Sequence, residues 1–93
     1  MSEARQKAIL VLAASDHAEA MRVAAGLTIF GHQVTLLFVD RVVEETEENL
    51  QQAELLELTE ISPLSLLDDP NIEKIDSAAF QQLMVQADCM MSI

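Results

Sequence analysis

The chain is poor in the residues that most often announce a function. Its 93 residues include one cysteine (Cys89), two glycines, two prolines, three phenylalanines, no tryptophan and no tyrosine. A single thiol closes no internal disulfide. Two glycines make no glycine-rich phosphate loop. Three phenylalanines without tyrosine or tryptophan offer no stacking platform for single-stranded nucleic acid. Bases are scarce as well: five Lys and Arg stand against sixteen Asp and Glu, for a net charge of −11. A nucleic-acid binder needs a basic surface to neutralise phosphates, and an anionic membrane repels a chain of this sign. No apolar run approaches the roughly 20 residues of a membrane span. The apolar stretch after the polar start is too broken for a signal peptide. These absences point to a cytoplasmic protein with no nucleic-acid or membrane partner.

What is present is apolar: 51% of the residues are hydrophobic. The length implies one domain over residues 1–93. A domain of this size buries only about 60–65% of its unfolded surface. The apolar surplus therefore fits either oligomer contacts or a two-layer core rich in Ala and Leu. The charge is lopsided. Residues 1–39 hold three acids and three bases, and from Asp40 onward only Arg41 and Lys74 are basic.

Lys7 to Ala14 is a nearly unbroken apolar run, the pattern of a central strand covered on both faces. It leads into Ser15-Asp16-His17, a helix start. A helix is expected from Asp16 to Phe30, with Ala20, Val23, Ala24, Leu27 and Phe30 on one face, closed by Gly31 at positive φ. His32 is expected to help close that end. Val34 to Val39 is a second apolar strand, so the opening is a βαβ unit with parallel pairing. A second helix is expected from Glu44 to Glu60, its acids crowding the first turns. Its apolar face would carry Leu50, Ala53, Leu55, Leu56 and Leu58, and Ser62-Pro63 would break it. Leu64 to Leu67 suggests a short helical turn, Asp68 to Asn71 a turn cluster, and Ile72 to Ile75 a short strand. Asp76 or Ser77 caps a third helix through Ala87, with Ala79, Phe80, Leu83, Met84 and Ala87 on one face. Asp88 to Ile93 closes as a strand near the sheet edge.

This order of elements resembles the DsrE/DsrF/DsrH-like sulfur-relay family. Three stretches carry the resemblance: Gly31-His32-Gln33-Val34 running into Thr35 to Asp40, then Asp40-Arg41-Val42, then Ile72 to Ile93. Family members have a similar Gly-His-x-Val turn into an apolar strand ending in an acid, often followed by Asp-Gly-Val, where Arg41 stands here. The family's further strand before the ending has no convincing counterpart in Leu50 to Asp69, and that stretch has no cysteine. The resemblance implies a flavodoxin-like parallel sheet of about four strands flanked by helices. It also implies homo-oligomers, or hetero-oligomers with related subunits. It does not carry persulfide chemistry to this chain.

Few residues invite a chemical role. Cys89 is the only thiol nucleophile, and a buried strand position beside Asp88 is the plainer reading. Cys89 with Met91 would be a soft-metal pair, but core packing accounts for both. The loops at the carboxyl ends of the first two strands offer a ligand site built from Ser15, Asp16, His17, Asp40 and Arg41. Capping is the plainer reading of Ser15 and Asp16, and an exposed first-turn position is the plainer reading of His17. Two histidines without a second thiol or a carboxylate cluster make no metal centre, so no metal and no cofactor is expected. Three functions stay open: an accessory assembly or binding subunit, a sulfur carrier through Cys89, and a small anion- or ligand-binding domain.

Overall fold

Ala8–Ala13 forms strand β1. The computed structural model, which describes residues 6–93, sets it between two parallel neighbours. The frayed end expected over residues 1–6 lies, for 1–5, outside the described residues. Ile9, Leu10 and Val11 are all buried, so both faces of β1 are covered, as its unbroken apolar run requires.

Helix α1 follows at His17–Ile29 and strand β2 at Gln33–Phe38. Asp16 caps α1 by accepting the Glu19 N–H at 3.1 Å. The far end is a Schellman turn. The His32 N–H donates to the Leu27 carbonyl and the Gly31 N–H to that of Thr28, with Gly31 at φ 96°. His32 Nδ1 also accepts the Lys7 N–H at 3.3 Å, tying this turn to the entry of β1. The buried stripe of α1 runs through His17, Ala20, Met21, Ala24 and Ala25. It is rotated from the expected face, so Phe30 at the C-cap is 81% exposed.

Helix α2 covers Glu47–Leu58, starting three residues later and ending two residues earlier than expected. Thr46 takes the cap, accepting the Asn49 N–H at 3.1 Å, while the Asn49 side chain donates to the Glu44 carbonyl. Glu44 and Glu45 are therefore loop residues, and only Glu47 and Glu48 lie in the first turn. The helix stops ahead of Ser62-Pro63. The Ile61 and Glu60 N–H groups donate to the Leu56 and Glu57 carbonyls in a second Schellman turn, with Glu60 at φ 64°. Leu56 is buried, but Leu50 and Leu58 are exposed.

The helical turn expected at Leu64 to Leu67 is instead strand β3, Leu64–Ser65. It pairs with β2 through Leu37 and Phe38, so a strand does occupy the stretch that looked empty of one. Its two residues carry no periodicity to read; pairing against β2 defines it. Strand β4 is Glu73–Lys74, helix α3 is Ser77–Gln86 capped by Asp76, and strand β5 is Cys89–Ser92.

Among the described residues the result is a flavodoxin-like α/β architecture with five strands where about four were expected. The sheet order is β4-β3-β2-β1-β5, and every ladder is parallel. Ile9, Val11 and Ala13 share one face with Leu36 and Phe38, under α1 and α2. Leu10, Leu12 and Leu37 point to the other face, where Leu83 of α3 and its C-cap Ala87 approach Ala8 and Leu10. None of the helices of the described residues is long and apolar enough to cross a membrane.

Candidate functional site

The parallel ladder brings the exits of β1 and β2 side by side, since Ala13 is the register partner of Phe38. The five residues singled out from the sequence therefore converge. His17 Nε2 stands 2.7 Å from Asp40 Oδ1. The Arg41 guanidinium pairs with the other Asp40 oxygen and donates at 3.0 Å to the Ser15 carbonyl. A chain of contacts thus runs from His17 through Asp40 and Arg41 back to the loop that precedes α1.

The details differ from the plain reading of these residues. His17 is buried at 3% exposure, with its ring edge-on to Phe38 at 4.9 Å between centroids. The Asp40 carboxyl feels burial, which pushes its pKa up. Hydrogen bonds from His17 and the Arg41 main chain, with the charges of both residues, outweigh that and hold it below the usual carboxylate range. An ionised Asp40 can only accept here, so His17 Nε2 is the donor of this bond. The other nitrogen, Nδ1, is buried without a hydrogen-bond partner. The imidazole has no nitrogen open to solvent, so in this conformation it works as a latch between α1 and β2.

The β1–α1 loop is also occupied by the chain itself. The Ala14 and Ser15 N–H groups, which an anion at this loop would use, both donate to the Ile93 carbonyl at 2.9 Å. Asp16 is engaged in its cap. Strand order reverses between β1 and β5, the place where open α/β sheets bind ligands, and Ile93 sits in that crevice.

Cys89 stands apart from this cluster. It is the register partner of Ile9, four residues before Ala13 along β1, or about 13 Å at strand rise. The buried position expected for it is not found: β5 lies at the sheet edge and the thiol is exposed. Among the described residues, no group of three or more His, Cys, Asp or Glu side chains is placed to hold a metal ion.

Two carboxylates with tertiary roles were not singled out as such from the sequence. Asp69 is buried and accepts the Val43 N–H at 3.1 Å and the Asn71 N–H at 3.0 Å, pinning the β2–α2 loop to the β3–β4 loop. Its turn setting, Asp69-Pro70-Asn71, is a readable sign of the local bond; the bond to Val43 is not readable. Asp88 accepts the Ala8 N–H at 2.8 Å and returns its own N–H to the Ala8 carbonyl, which sets the register of β5. Beside the Asp69 clip a groove of about 420 Å³ opens between α2 and these two loops.

Comparison with protein-family models, with curated proteins and with solved structures finds no match.

Proposed function

We propose that this chain acts as a binding and assembly subunit, joining a second copy of itself along the β5 edge. One observation carries the reading. Residues 77–93, which form α3 and β5, contain a single charged residue, Asp88, in a chain of net charge −11. Asp88 is engaged with the Ala8 main chain. Val85 is 85% exposed, Met90 is 53% exposed, and no residue of α3 is buried.

The two sheet edges contrast. β4 is two residues long and charged, Glu73–Lys74, which blunts it against pairing. β5 is an apolar strand with one side unpaired among the described residues. Two copies would repel wherever their acids face each other, and the α3–β5 edge is where they can approach without acid meeting acid. A two-fold axis there pairs β5 antiparallel with its mate and makes the interface self-complementary. Light scattering on the native protein tests this. A dimer at micromolar concentration is expected, and Met90→Glu with Val85→Glu turns it into a monomer of unchanged helicity whose melting temperature no longer depends on concentration. A native protein that stays monomeric at high concentration overturns the reading.

The exposure of Cys89 on that strand supports a second reading, in which the thiol carries sulfane sulfur as in the relay family the chain resembles. Iodoacetamide on native protein, read by mass, checks it: slow or absent alkylation ends the carrier role. The assignment to sulfur metabolism rests on the resemblance of residues 31–42 and 72–93.

A further inference from the structure

We propose that the groove beside α2 is a binding site for a small organic cation, a primary ammonium on an apolar body. Its floor is apolar, with Phe38, Leu56 and Ile72 at its base. Its rim carries Glu44, Glu45 and Glu57, and no Lys, Arg or His among the described residues lines it. The volume, about 420 Å³, falls within the roughly 300–1,000 Å³ of small-molecule sites. The groove opens between the loops that follow β2 and β3, at the carboxyl ends of the strands, where α/β sheets take ligands.

The charges of the rim lack partners of their own. Among the described residues, Arg22 pairs with Glu19, Arg41 with Asp40 and Lys74 with Asp68, and none pairs with a rim glutamate. Because Thr46 caps α2, Glu44 and Glu45 stand outside the helix and sit on the groove wall instead. Asp69 also lines the groove, but both its oxygens accept main-chain N–H groups, so it shapes the wall. An apolar body satisfies the floor, an ammonium satisfies the rim, and an anion is repelled. This proposal is independent of the β5 edge.

The test is a titration of the full native chain with phenethylamine, phenylethanol and phenylpropionate, which share an aromatic body and differ in charge. Amide chemical shifts read the site, and their saturation reads the affinity. Phenethylamine is expected to move Val43, Ala53 and Ile72 and to bind about five- to tenfold tighter than phenylethanol. Phenylpropionate is expected to be weakest. The Glu44→Gln, Glu45→Gln, Glu57→Gln triple variant, altered only at exposed positions, brings the amine down to the alcohol and leaves the alcohol unchanged. Equal binding of amine and alcohol, shifts centred elsewhere, or no saturable binding overturns the proposal.

Discussion

His17 and Asp40 meet at 2.7 Å across 23 positions of sequence, joining the first turn of α1 to the exit of β2. The contact rests on the parallel β1–β2 ladder, which ends both strands at the same level. It is held from outside by Arg41 and from inside by the edge-on packing of His17 against Phe38.

That contact makes stability fall in acid. The Asp40 carboxyl is held below its usual range in the folded protein. Its charge therefore stabilises the fold at and above the ordinary Asp value near 3.9, and the contribution is lost as pH drops through the lower folded value. Asp40→Asn is expected to flatten the loss of urea resistance between about pH 5 and pH 2 relative to the native chain. Asp40→Ala leaves His17 Nε2 buried without a partner and is expected to cost about 2 kcal/mol at pH 7. An unchanged urea midpoint in Asp40→Ala would show the latch to be idle.

Glu60 ends α2 in the left-handed region at φ 64°, a position that suits glycine. A side chain with a Cβ there costs about 1 kcal/mol. Glu60→Gly is expected to raise the unfolding free energy by about that amount and the melting temperature by about 5 °C. Calorimetry decides the matter; a lower melting temperature contradicts the strain.

Asp69 is the hinge pin of the two loops that frame the groove. Asp69→Ala strands the Val43 and Asn71 N–H groups in a partly buried setting. The expected cost is about 2–3 kcal/mol, with faster hydrogen exchange at the Val43 amide. Glu73→Ala, on the exposed edge strand, is expected to stay within about 0.5 kcal/mol of the native chain. Equal behaviour of the two variants would remove Asp69 from that role.

The candidate site was half legible. Ser15, Asp16, His17, Asp40 and Arg41 could be placed together because a βαβ unit puts both strand exits at one end of the sheet. Their states could not. An isolated first-turn histidine reads as exposed, and only the approach of β2 buries His17 and supplies Asp40. The burial of Asp69 and the exposure of Cys89 were equally hidden, because each depends on which element lies alongside.

The helix faces teach the same lesson. Leu56 and Leu58 lie two apart in one helix, yet one is buried and the other is 81% exposed. The helical period separates them, but the composition of α2, apolar on several sides, does not say which side meets the sheet.

Alone, the sequence determined the class of fold, the two long strands, the helix starts around Asp16 and Asp76 and the glycine turn at Gly31. Those features depend on neighbours within a few residues, and local sterics and hydrogen bonding decide them. Tertiary structure decided strand β3, the latch at His17 and the groove beside α2. Two-residue strands have no pattern of their own, and burial is set by what packs against a residue.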